Sequence, residues 1–243
     1  GMLLATCGRD KSVWIWEYLA GGAEEFECVA VLNGHSADVK CVVWVDSHGQ
    51  WGDGDEVLVS GSYDDCIKCW AEDGGDWYCA ATLSGAHTST IWSVAAAPSG
   101  VRLISASDDC SLAIWKSYTA AQRRELFHND NGKINGSSTD GLWKCVGTLP
   151  SAHKRTIYCV DCAPARAGHG RIVSGGADNR INIYREVSSA SSSSETPVFV
   201  LEDCVANAHA GDVNCVRWHP KDGSLLASVG DDGCVKVWRY LLV

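Results

Sequence analysis

Along this chain, short runs of alternating apolar and polar residues are separated by tight polar turns. A period of two is that of strands lying between a packed face and a wetter one, so the pattern predicts antiparallel β-structure throughout. Five segments end alike: LATCGRDKSVWIW (4–16), LVSGSYDDCIKCW (58–70), LISASDDCSLAIW (103–115), IVSGGADNRINIY (172–184) and LASVGDDGCVKVW (226–238). In each, a Ser or Thr lies four residues before an Asp, and an aromatic residue lies six after it. Four of them follow a His and a further alternating run: HSADVKCVVW, HTSTIWSVAA, HKRTIYCVDC and HAGDVNCVRW. Self-similarity of this kind marks a repeat architecture, in which each unit buries its apolar face against the next.

The His, Ser, Asp and aromatic positions together resemble the WD40 repeat, whose four-stranded blades surround a central channel. The resemblance implies an all-β WD40 β-propeller with about five blades present, four near-complete repeats plus an N-terminal half repeat. It corresponds to the C-terminal part of a seven-bladed propeller. The family's structural tetrad maps onto His35, Ser60, Asp64 and Trp70; onto His87, Ser105, Asp109 and Trp115; onto His153, Ser174, Asp178 and Tyr184; and onto His209, Ser228, Asp232 and Trp238. The half repeat keeps Thr6, Asp10 and Trp16. Only Gly34-His35 retains the glycine of the opening Gly-His, and no repeat has an Asp after its closing aromatic. A partly buried Asp needs donors; an imidazole held by a hydroxyl and an indole N–H provides them with few groups left unpaired.

The repeats run over about 1–16, 26–70, 77–116, 143–185 and 198–240, as a single WD40 domain over 1–243. Successive tetrad Asp residues are 54, 45, 69 and 54 apart, against a repeat of roughly 40–45. The excess is assigned to polar surface insertions at 46–56, 117–142 and 186–197, the last a flexible Ser-rich loop. Eighteen strands are expected, from strand b of one blade to strand c of another. The pattern therefore predicts about two further blades and a strand on the N-terminal side. It also predicts two open sheet edges that need a partner, a swapped copy or those blades.

Composition narrows the function. A formal charge of −10 argues against nucleic acid and acidic membrane surfaces, which need clustered Lys and Arg. No run of 18 apolar residues and no leader-like N-terminal segment is visible. The 13 Cys are therefore expected as free thiols in a reducing compartment. Cys66/Cys69 and Cys159/Cys162 have ligand-like spacing, but residues i and i+3 of a strand point to opposite faces, so structural packing is expected and no metal. Four periodic copies of His, Ser and Asp argue for architecture rather than a hydrolase triad, which occurs once. No phosphate loop, GxSxG or HExxH is present. No catalytic residue, cofactor or enzyme activity is expected.

A closer resemblance covers nearly the whole chain. LLATCGRDKSVWIWE, ECVAVLNGHSADVK, HKRTIYCVD and AHAGDVNCVRWHPKDGSLLAS are similar, in order, to the propeller subunits of the cytosolic iron–sulfur protein assembly (CIA) targeting complex. So are Trp77-Tyr78-Cys79 and Trp143-Lys144-Cys145. The resemblance implies a non-catalytic scaffold that binds a HEAT-repeat subunit and a small adaptor subunit and helps present apo iron–sulfur client proteins. It implies a cytoplasmic location, extending to nuclear clients. A WD40 adaptor of another pathway, such as substrate recognition in a ubiquitin ligase with Arg9 and Lys40 on acidic or phosphorylated peptides, is the alternative. WD40 proteins often bind through the top face, at the residue before each tetrad Asp and those flanking the first apolar position of strand a. Transferred here, these are Arg9, Tyr63, Asp108, Ala177 and Asp231, with Asp38, Lys40, Thr90, Trp92, Thr156, Tyr158, Asp212 and Asn214. Arg9, Tyr63, Trp92, Asp108, Tyr158 and Asp231 are the protein-binding candidates, Arg and aromatic residues being those that dominate interfaces.

Overall fold

The computed structural model describes residues 2–19, 25–46, 51–119, 122, 143–150, 153–164, 170–187 and 197–241. They form eighteen strands in five antiparallel sheets. The first sheet holds β1 (Leu3–Cys7), β2 (Ser12–Leu19) and β3 (Glu25–Asn33). The second holds β4 (Val39–Asp46), β5 (Glu56–Ser62), β6 (Ile67–Asp73) and β7 (Asp76–Leu83). The third holds β8 (Ile91–Ala96), β9 (Arg102–Ser107), β10 (Leu112–Ser117) and β11 (Trp143–Thr148). The fourth holds β12 (Ile157–Cys162), β13 (Ile172–Gly176), β14 (Ile181–Val187) and β15 (Val198–Val205). The fifth holds β16 (Val213–Trp218), β17 (Leu225–Gly230) and β18 (Val235–Arg239).

Each sheet is a meander of consecutive strands, and four-residue turns join the second and third strands of the repeat in every blade. The leading strands β4, β8, β12 and β16 lie beside one another, so the sheets radiate from a shared inner edge as propeller blades. Apolar residues of facing sheets fill four seams. Val13, Ile15, Leu58 and Trp70 fill the first; Val59, Ile67, Ile91 and Trp115 the second; Ile104, Ile114, Ile157 and Tyr184 the third; Val173, Ile183, Val213 and Trp218 the fourth.

The tetrads close the blades as chains of donors. Trp115 Nε1–H donates to Ser105 Oγ at 2.8 Å, Ser105 donates to His87 Nε2 at 2.7 Å, and His87 Nδ1–H donates to Asp109 at 3.0 Å. That direction fixes a neutral imidazole, the tautomer following from the network. The same order holds for Trp70, Ser60, His35 and Asp64 and for Trp238, Ser228, His209 and Asp232. His153 links Ser174 and Asp178 in the fourth blade, where the buried Tyr184 replaces the indole. Each Asp also accepts backbone N–H groups, as Asp109 does from Thr88 and Ser111 and Asp232 from Ala210 and Cys234, which pins the incoming loop to the b–c turn. In the first blade Trp16 donates to Thr6, and Asp10, with no imidazole, accepts from Ser12 and Trp14.

The residue after each tetrad Asp adopts positive φ: Lys11, Asp65, Cys110, Asn179 and Gly233. Asn adopts this region at less cost than a thiol side chain does. Cys110→Asn is therefore expected to raise stability by about 0.5–1 kcal/mol, seen as a higher urea midpoint; an unchanged or lower midpoint would count against turn strain.

The 46–56 segment is not all surface. Trp51 is 6% exposed and belongs to the seam between the second and third blades. Gly52 has φ +57°, and a Cβ there would stand 1.7 Å from the Glu72 carbonyl, so only glycine lets the loop lie against the β6–β7 hairpin. Residues 47–50, and within the other two expected insertions 120–121, 123–142 and 188–196, lie outside the described residues.

Candidate protein-binding face

One irregularity, repeated four times, builds the face. Where the leading strand of a blade pairs with its second strand, the register slips between Val39 and Cys41, Ile91 and Ser93, Ile157 and Cys159, and Val213 and Cys215. The residues left out of the ladder are Lys40, Trp92, Tyr158 and Asn214. A bulge re-aims its extra side chain away from the sheet face, here toward the end of the blade that carries the b–c turns. The turns are tied to the same place. The N–H groups of Tyr63, Asp108, Ala177 and Asp231 donate to the carbonyls of Asp38, Thr90, Thr156 and Asp212 at 2.8–3.0 Å.

The two sets meet in a ribbon that crosses the blade boundaries. Arg9 of the first blade lies 4.0 Å from Asp38 of the second. Lys40 donates to Asp38 at 3.0 Å and stands 5.7 Å from the Tyr63 ring centroid and 5.2 Å from that of Trp92, in the third blade. Trp92 meets Tyr158 of the fourth blade edge to face at 5.3 Å. Thr156 donates to Asp108 across the same boundary, and Ser89 donates to Asp108 at 3.1 Å. Tyr158 reaches Asp212 of the fifth blade, with burial and then that carboxylate raising its phenol above the ordinary range. Arg155 stands 3.9 Å from Asp212, and Asn214 donates to Asp231 at 2.6 Å.

The sequence candidates thus differ in what they leave open. Asp108 and Asp231 are occupied by neighbouring donors and act within the ribbon. Asp38 is held below the ordinary carboxylate range chiefly by the Lys40 hydrogen bond. Arg9, with 94% of its side chain exposed, and Tyr63, exposed to 59%, are open to a partner, and Asp108 and Asp231 are exposed as well. Ala177 is buried. Thr156 takes the place the repeat position assigned it, while Ser89 and Arg155 have parts in the ribbon that the repeat positions do not signal.

The cysteines follow the repeat. Cys28, Cys79 and Cys145 lie opposite Trp16, Trp70 and Trp115 on the outer strands. Each thiol donates to the carbonyl two residues on, at 3.5–3.7 Å. Burial raises the thiol pKa of Cys69, and of Cys159 and Cys162 to about 12 each, which disfavours the thiolate that metals and electrophiles require. Among the described residues no group of three His, Cys, Asp or Glu could hold a metal ion, and no helix is long and apolar enough to cross a membrane.

Radiating three- and four-stranded blades, four of them closed by His–Ser–Asp–aromatic networks, define a propeller. The chain belongs to the WD40 family: the WD domain, G-beta repeat matches residues 26–71, 77–116, 143–185 and 202–239. It is similar to proteins that share one name, probable cytosolic iron-sulfur protein assembly protein 1. Identity is 35% over 270 residues with that of Botryotinia fuckeliana, covering 98% of this chain and 60% of the relative. With that of Candida albicans it is 38% over 255 residues, covering 98% and 61%. The chain thus spans about 60% of the length of the curated relatives it matches.

Proposed function

We propose that this chain is a non-catalytic protein-interaction scaffold in cytosolic iron–sulfur protein assembly. The observation that carries the reading is the shared identity over 98% of the chain with relatives bearing that name. The top face supports it, because recognition groups held across blade boundaries are ordered before a partner arrives, which reduces the ordering cost of association. In this reading Arg9, Tyr63, Trp92, Asp108, Tyr158 and Asp231 form the protein-binding face. The partners are the HEAT-repeat and small adaptor subunits of the CIA targeting complex and apo iron–sulfur clients, met in the cytoplasm and, for some clients, in the nucleus. The scaffold works by raising effective concentration, with no bond made or broken on it.

Affinity purification from cytosol of the full chain, wild type beside Arg9→Ala, tests this. Wild type is expected to recover the HEAT-repeat subunit. Arg9→Ala is expected to weaken recovery about tenfold or more, as truncation of an interface Arg does. Full recovery with the variant would move the binding face elsewhere. Wild type that recovers none of these subunits would remove the iron–sulfur reading and leave a WD40 scaffold of another pathway.

A further inference from the structure

Lys40 stands at the centre of the top face yet does not project from it: its side chain is 19% exposed, against 94% for Arg9. The bulge that drops Lys40 from the β4–β5 ladder sends it toward the rim, where it folds back between Tyr63 and Trp92 and closes on Asp38. Asp38 lies beside two cations. It takes the short bond from Lys40, at 3.0 Å, and leaves Arg9 at 4.0 Å.

We infer that Lys40 is the positioning residue of this face: by neutralising Asp38 it keeps the Arg9 guanidinium turned outward, and by lying against two rings it orients Tyr63 and Trp92. The inference rests on the top face being the binding face. The physical reason is competition. A carboxylate prefers the closer, better-aligned cation, and a sheltered ammonium is a stronger partner than an exposed guanidinium screened by water. Without the ammonium, Asp38 would draw Arg9 down onto the surface and remove it from reach of a partner. The rings would lose the cation that bridges the second and third blades.

The test uses Lys40→Met, which keeps the length of the side chain and removes its charge, Lys40→Arg, which keeps the charge, and the pair Lys40→Met with Asp38→Asn. Two quantities are read: affinity for the purified HEAT-repeat subunit, and the rate at which phenylglyoxal modifies Arg9, followed by mass spectrometry. Lys40→Met is expected to weaken binding about tenfold and to slow Arg9 modification about fivefold. Lys40→Arg is expected to stay near wild type. The double variant, having no carboxylate to capture Arg9, is expected to recover the modification rate and most of the affinity. A purely structural role would not produce that recovery. If Lys40→Met leaves the Arg9 rate unchanged, or if the double variant fails to restore it, the inference is overturned. If wild type does not bind the HEAT-repeat subunit at all, the functional reading falls, while the Arg9 rates still decide the role of Lys40.

Discussion

Asp109→Ala is expected to lower the unfolding free energy by about 3 kcal/mol. The carboxylate accepts from His87 Nδ1, from the Thr88 and Ser111 N–H groups and from the Ser111 hydroxyl at 2.6–3.0 Å. Removing it leaves the N–H of an imidazole fully sheltered from solvent with the Ser111 hydroxyl, at 3.1 Å, as its remaining acceptor, and takes away the charged group that holds the ring against Ser105 and Trp115. The loss exceeds that of an ordinary hydrogen bond, because four donors lose one charged acceptor together. Asp10 of the first blade provides the contrast. It stands at the same repeat position, has no His to satisfy and is itself exposed to solvent. Asp10→Ala is therefore expected to cost much less. Urea unfolding of the two variants measures the difference. Equal losses would mean that the turn alone, and not the tetrad, stabilises the blades.

The tetrads were legible in the sequence because their chemistry demands residue identity. A neutral imidazole between a hydroxyl and a carboxylate cannot be replaced by another polar group of similar hydropathy, so His87, Ser105 and Asp109 stand out even though Gly-His is lost there. The strands between them were legible from alternation. The bulges were not, because a bulge is a relation between two strands: nothing in HSADVKCVVW says that Lys40 faces no residue of β5. The sequence could therefore nominate Lys40, Trp92 and Tyr158 by position, but not show that they lie in one ribbon or that Asp108 is held by Thr156 of the next blade. Trp51 was hidden for another reason. A single apolar residue in a polar, glycine-rich run carries no periodicity, and only the glycine beside it, Gly52 with its positive φ against the Glu72 carbonyl, explains how the loop reaches the seam. Three cysteines spaced by the repeat, Cys28, Cys79 and Cys145, face Trp16, Trp70 and Trp115 across the outer strands, a placement that only the register shows.

The same networks predict that acid unfolds the protein in two stages. Burial lowers the pKa of His35 and His87 below the ordinary 6.5, more than their Asp partners raise it. A folded-state pKa that is depressed means that the unfolded chain takes up the proton first. Stability is therefore full above pH 6.5 and declines as pH falls from there toward the folded-state values. The carboxyl groups of Asp64, Asp109 and Asp178 act in the same direction at lower pH. Burial would raise them, but hydrogen bonds from Ser36 and His35, from Ser111 and Thr88, and from His153 and Lys154 outweigh it and hold all three below 3.8. Their contribution is present above 3.8 and is lost as pH falls through their folded-state values. Asp161 opposes this. Buried beside the fifth blade, where it accepts the Trp218 N–H at 2.7 Å, it is raised by burial, so the folded state takes up that proton first and gains from acid. One opposing carboxyl against three carboxylates and two imidazoles leaves the balance with acid destabilisation. Thermal unfolding recorded from pH 8 to pH 3 should show a midpoint that is level above 7, declines once pH drops below 6.5 and declines again below 3.8. A midpoint that stayed level from pH 7 to 5 would mean that the imidazoles are not held neutral; His Nε2–H would then donate to the Ser hydroxyl, while the indole N–H still donated to the same oxygen.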